Sequence, residues 1–318
     1  METSRISEVT IVERARELLD ILPCLPEVLG SAVGFVDLNA CHIQRGFGIE
    51  MDRKKIPHRV PCAIILVTYF PLISLTTDME LFRAAFARLI CCHAILWLCG
   101  IKHGDINVAS LMCSTDGTPT LWDYDCCYLA WEESPTGCTS TGITKFMASE
   151  LLTNRAMAVG VQKVYRHDAE AFAWVLLWIL GRYRDGKQLE LGEGRLFDTW
   201  ARKTNYAEVK EKRLMAFASA VKLEVQIPQP LSDYFRVDAF QFIGSLRNSQ
   251  LGHEMAIVEL ATQGAFLDQH SKQELERKLA GFASTTFIRN VLNTRLVASS
   301  EYSGLVEDAL EIYVARHL

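Results

Sequence analysis

The chain has 318 residues, 49% of them hydrophobic and 22% charged, which is enough apolar mass for one large globular domain or two modest ones. Its formal net charge is −5 and its pI is near 5.9, so the bulk charge favours neither nucleic acid nor an anionic membrane as a partner. The apolar runs at 62–70 (CAIILVTYF) and 169–180 (AEAFAWVLLWIL) fall short of the roughly 20 residues that span a bilayer and are read as core.

In chain order, residues 6–20 carry Ile6, Val9, Val12, Leu18 and Leu19 at helical spacings before Pro23, which predicts a first helix. Between 28 and 70, short β-branched runs separated by Gly30, Gly34, Gly46, Gly48 and Pro61 predict a few strands, the strongest over 63–70. Asp78 predicts the N-cap of a helix with Leu81, Phe82, Ala85, Phe86, Leu89, Ile90 and Leu96 along one face, and Gly100 its C-terminal stop. A turn at 103–107, an apolar stretch at 108–112, a turn at 115–118, a strand over 120–124, a Ser/Thr-rich segment and a very apolar helix over 168–180 follow. A further helix is predicted over 197–221, the prolines of IPQPL (227–231) break the pattern, and 232–318 reads as mostly helical.

Ten cysteines are scattered through apolar segments without a Cys-x-x-Cys spacing or a secretory-signal pattern. The expectation is a reduced intracellular setting, cytoplasmic or nuclear. Cys91, Cys92 and His93 are consecutive on a predicted helix, point about 100° apart and read as core rather than as a metal site.

The stretch HGDINVASLMCSTDGTPTLWDYD, residues 103–125, sets carboxylates on two turns of an apolar neighbourhood. Phosphoryl transfer can use such a pair: one acid orients an acceptor hydroxyl while the other holds the metal that bridges phosphate oxygens. Acids at turns are also common as caps, so spacing alone does not decide the matter.

Further stretches occur in the order a protein kinase has them. GIKHGDINVASLM resembles the catalytic loop, LWDYD the Asp-Phe-Gly strand end, and TGITKFMASELL the Thr-Gly-Thr…Ala-Pro-Glu segment. YRHDAEAFAWVLLWI (165–179) is similar to the Tyr-Arg-His-Asp…Trp-Ile helix of the fungal-type protein kinase family, and FPLISLTTDMELFRAAFARLICCHAIL to that family's stretch before the catalytic loop. The resemblance covers about 55–220. It implies an α+β, protein kinase-like fold: a reduced N-lobe (helix C plus a few strands) over 1–71, a mainly helical C-lobe over 72–226 and a helical extension over 227–318. It also implies ATP and Mg²⁺ as cofactors and a protein substrate or partner.

Carried over by position, Asp105 matches the catalytic base, His103 the packing histidine of the loop, and Asp123 the magnesium-binding aspartate. Asn107 joins His103 and Asp105 as a catalytic candidate, and Ser110 falls at the loop's metal-binding asparagine. Asp168 matches the helix aspartate that holds the loop by its backbone N–H groups, and Glu150 the acid closing the activation segment.

The departures predict impaired transfer. Ser110 offers a poorer metal ligand than an amide carbonyl. Gly104 replaces the arginine that reads a phosphorylated activation segment, although Ser134, Thr136, Thr139, Ser140 and Thr141 are available for modification. Ile143 and Ser149 replace a threonine and a proline. No Gly-rich hairpin or strand lysine precedes the first helix, GFGIE (46–50) reads as a loop, and Lys54 and Lys55 come too late. If 6–20 is helix C, Glu13 is its cofactor-site glutamate, and the missing elements are either lost or lie upstream. A non-catalytic, partner-binding kinase-like module is the competing reading. The amphipathic stretches at 273–293 and 303–318 are expected to pack on the helical lobe, and KEKR (210–213) to form a solvated face.

Overall fold

The computed structural model describes residues 8–18, 24–33, 62–129, 145–152, 164–190, 209, 233–263, 268–271 and 285–317. Its contacts divide the chain into two compact units, one of residues 1–25 and 69–318 and the other of residues 26–68. The smaller unit contains an antiparallel pair, β1 (Val28–Val33) and β2 (Cys62–Leu66), in register from Val33↔Cys62 to Gly30↔Ile65, with an irregularity between Val28 and Gly30. Strand β2 stops at Leu66, short of the 63–70 expectation.

The larger unit is built on two helices, α2 (Met79–Leu98) and α3 (Tyr165–Arg182). Asp78 caps α2, its carboxylate accepting from the N–H groups of Glu80 and Leu81 at 3.1 and 3.0 Å, an arrangement that stabilises a helix by about 1 kcal/mol. Gly100 ends it at φ +85°, a conformation that costs a residue without Cβ little. By length and composition α2 could cross a bilayer, yet 72% of its most apolar window is buried against its own chain. Helix α3 begins three residues before the predicted 168 because His167 closes its first turn, Nδ1 accepting from the Val164 N–H at 3.2 Å. All of its residues except Arg166 are buried, as a helix apolar on every side requires. Phe172 on α3 meets Phe86 on α2 edge-on, with ring centroids 5.9 Å apart.

A small antiparallel sheet in the order β3–β5–β6, formed by Phe70–Pro71, Leu111–Cys113 and Pro119–Leu121, lies against α2. The predicted strand over 120–124 ends at Leu121, and Tyr124–Cys126 form a 3-10 turn instead. A second pair joins β4 (Ile101–Lys102) to β7 (Tyr128–Leu129), so one hydrogen-bonded ladder stands on each side of the 103–110 loop. After α3 the chain makes the hairpin β8 (Tyr183–Arg184) to β9 (Lys187–Gln188), turning through Asp185 and Gly186, both at positive φ as tight hairpins demand.

Helix α1 (Glu8–Leu18) belongs to the larger unit, with Val9, Ile11, Val12 and Ala15 buried, and the Leu121 N–H bonds the Cys24 carbonyl at 2.8 Å. The described helices after residue 232 pack on the helices of the larger unit. Helix α4 (Asp233–Gln263) packs on α3, and α5 (Arg295–Ala298) and α6 (Ser303–His317) pack on α2. Asp238 of α4 is fully buried and pairs with Arg83 of α2 at 2.6 Å and with Arg295 at 3.4 Å, while Arg88 pairs with Glu301 at 2.9 Å. The helix predicted over 197–221, the IPQPL break, GFGIE, Lys54 and Lys55 lie outside the described residues, apart from the buried Val209.

Candidate functional site

The 103–110 loop is held from beneath and from the side. Gly104, at φ +79°, aims its N–H at Asp168 Oδ2 at 3.0 Å, a turn that a side chain at this position would strain. The same carboxylate oxygen accepts from His93 Nε2 at 3.0 Å. Asp168 and His93 are both buried, so the loop's backbone is tied to α2 and α3 through one desolvated carboxylate. His93 was invisible as a partner in the sequence, since 75 residues separate the two; its Nδ1 has no hydrogen-bond partner.

His103 is buried and links the two acidic turns. Its Nε2–H donates to the Trp122 carbonyl at 2.8 Å, and its Nδ1 accepts from the Asp105 N–H at 3.3 Å. The Trp122 N–H donates to the Ser110 carbonyl at 2.8 Å. Asp105 and Asp123 therefore each stand next to a residue of the same short hydrogen-bonded link, and both are half-buried. Asp123 sits at φ +65°, ψ +69°. Among the described residues, Asp185 of the hairpin is the other non-glycine at positive φ. A left-handed aspartate outside a tight turn stores about 1–3 kcal/mol of strain, which persists where the surroundings over-determine it and is concentrated at functional sites.

Two of the predicted site residues turn inward. Ser110 is fully buried, and its hydroxyl donates to the Asn107 carbonyl and accepts from the Asn107 N–H, both at 2.9 Å. Its oxygen closes the loop through these two bonds. Asn107 is also buried. Its Oδ1 accepts from Ala109 and Ser110 and its Nδ2 donates to the Asp105 carbonyl, so it braces Asp105 from behind rather than presenting a reactive group.

Glu13 is exposed and does not reach the turn. Glu8, five residues earlier on α1, accepts from the Tyr124 N–H at 2.9 Å. The glutamate that meets the Asp123 turn is thus Glu8. Tyr124 is buried with its ring 5.0 Å from His103; burial pushes its phenol well up.

Glu150 closes the segment in front of α3. Its Oε2 accepts from Arg166 Nη2 at 2.6 Å and His167 Nε2 at 3.0 Å, and these partners, His167 first, hold its carboxyl down to about 2. The neighbouring Ser149, where the resemblance has proline, donates both its N–H and its hydroxyl to Glu170. The side chains of Asp105, Phe146, Met147, Leu151, His167 and Asp168 line a cavity of about 20 Å³, room for about one water and not for a nucleotide. Cys24, Cys91, Cys92, Cys99, Cys113, Cys126 and Cys127 are free thiols, and burial pushes Cys91 up to about 12, which leaves it inert as a nucleophile. Ser134, Thr136, Thr139, Ser140, Thr141 and Ile143 lie outside the described residues.

With this geometry in place, the comparison with known families is specific. Residues 41–180 match the model of the fungal protein kinase family. That stretch contains His103, Asp105, Asp123, Glu150 and Asp168, begins before the 55 expected and ends within α3, leaving Glu8 and the C-terminal helices outside. No curated protein matches the chain.

Proposed function

We propose that this protein is a kinase-fold phosphotransferase with a weakened transfer step, acting on Ser or Thr hydroxyls of an intracellular protein substrate with ATP and Mg²⁺. The observation that carries the reading is the joint bracing of Asp105 and Asp123 through the His103–Trp122 bond, next to the Asp168–Gly104 tie. Asp105 orients and deprotonates the acceptor hydroxyl, and its backbone is fixed by Asn107 and His103. Asp123 supplies a half-buried, hard carboxylate oxygen, the donor type Mg²⁺ prefers. The bound ion would neutralise charge developing on the phosphoryl oxygens.

The weakening follows from Ser110, whose hydroxyl is consumed inside the loop, leaving one carboxylate where a metal benefits from two donors. Loss of one such electrostatic contact costs about 2–4 kcal/mol of transition-state stabilisation. A radiolabelled-ATP assay on the full chain tests the reading: slow transfer that Asp105→Asn reduces by a further 10²-fold or about that order supports it, and transfer indifferent to Asp105→Asn defeats it.

The second reading, a partner-binding module without turnover, is favoured by the same inward turn of Ser110 and by the exposed position of Glu13. Robust transfer dependent on Asp105 would exclude it.

A further inference from the structure

Thiols from two distant parts of the sequence share one core. Cys24 follows α1, Cys91 and Cys92 are adjacent on α2, and all three are fully buried and outside any disulfide. Consecutive residues of a helix point about 100° apart, and these two have different partners. Cys91 is hydrogen-bonded to Ser300, ahead of α6, whereas Cys92 is hydrogen-bonded to the thiol of Cys24.

Cys24 is also tied to the acidic turn. Its carbonyl accepts from the Leu121 N–H at 2.8 Å, two residues before Asp123, and Glu8 of α1 accepts from the Tyr124 N–H at 2.9 Å. Glu8 and Cys24 therefore hold the turn by two of its N–H groups, one on each side of Asp123. We infer that Cys24 and Cys92 form a reversible disulfide, which locks Cys24 onto α2 and steadies the turn that carries Asp123. The oxidant is a small-molecule disulfide of the glutathione type. The Cys24 thiol loses its proton and attacks one sulfur of that disulfide, releasing one glutathione; the Cys92 thiol then loses its proton and attacks the Cys24 sulfur of the mixed disulfide, releasing the second. Two protein thiols are oxidised, one glutathione disulfide is reduced to two thiols, and the two protons end on the departing thiolates. Both protein sulfurs are sealed from solvent, so exchange proceeds through local opening near Leu25, where the chain leaves the larger unit. The bond closes a loop over residues 24–92 that contains the whole smaller unit, and a cross-link stabilises more as the loop it closes lengthens.

The test is equilibration of the full chain in glutathione buffers of rising disulfide fraction, followed by thiol counting, peptide mapping, thermal unfolding and amide hydrogen exchange. Two thiols should disappear together, the mapped cross-link should join Cys24 to Cys92, and the oxidised chain should melt about 5 °C higher. Exchange of the Leu121 and Tyr124 amides should slow about tenfold. Cys92→Ala and Cys24→Ala should each abolish all of these changes, and Cys91→Ala should keep them; Cys24→Ala, outside the helices, serves if Cys92→Ala fails to fold. A cross-link from Cys24 to Cys91, a glutathione adduct that does not resolve, or no oxidation of the folded chain overturns the inference. A bond from Cys24 to Cys92 that leaves both amides unchanged overturns the lock on the Asp123 turn. None of these readouts requires phosphoryl transfer, so the switch and the phosphotransferase reading can fail separately.

Discussion

Two buried aspartates, Asp168 under the 103–110 loop and Asp238 at the junction of α2, α4 and α5, solve the same desolvation problem in different ways. Asp238 faces guanidinium groups, Arg83 at 2.6 Å and Arg295 at 3.4 Å. Asp168 faces a backbone N–H and an imidazole N–H. Opposite charges fix how helices pack and leave the local backbone free. A bond to a main-chain N–H fixes a dihedral conformation, and here the residue it fixes immediately precedes Asp105. The first arrangement is a stability device and the second a positioning device, although burial alone makes the two aspartates look equivalent.

The sharpest way to break that comparison is Arg83→Ala, which leaves Asp238 buried with only the more distant Arg295. Removing one partner of a buried pair costs about 3–5 kcal/mol, so chemical denaturation should show a loss of that order. A loss under about 1 kcal/mol would mean Arg295 compensates fully. Asp168→Asn keeps the volume and removes the charge-assisted acceptor. It should cost about 1–3 kcal/mol, yet lower transfer or nucleotide binding by more than its stability loss explains. Proportionate effects on both would reduce Asp168 to a purely structural role.

The smallest effect belongs to Glu150, whose partners Arg166 and His167 both stand in the first turn of α3. His167 and Arg166 hold its carboxyl at about 2, below the ordinary value of about 4.3. A depressed carboxyl stabilises the fold above its unfolded value, and that contribution is lost as pH falls through about 2. The side chain is 42% exposed, so solvent screening keeps the term modest. The stability difference between the native chain and Glu150→Gln should be constant above about pH 5 and shrink as the pH is lowered towards 2. A difference independent of pH would show that the Arg166 and His167 contacts do not depend on the charge of Glu150.

Local rules made much of this legible. The Asp78 cap, the Gly100 stop and the burial of 169–180 depend on neighbours within a turn or two, and the order of short motifs singles out Asp105, Asp123 and Asp168 as candidates. What is not legible is where a side chain points. Glu8 and Glu13 are five residues apart, about 140° around a helix; both suit the first helix, and only its docking aims Glu8 at Tyr124. Ser110 stands at a metal-binding position by spacing, but the loop folds its hydroxyl back onto Asn107.

The sequence by itself determined which residue types could do the chemistry and which helices had to be core, because composition, periodicity and capping act over short separations. Tertiary structure decided which of them meet. His93 with Asp168, Arg83 with Asp238 and Cys24 with Cys92 are separated by dozens of residues, and their pairing is set by how buried surfaces dock.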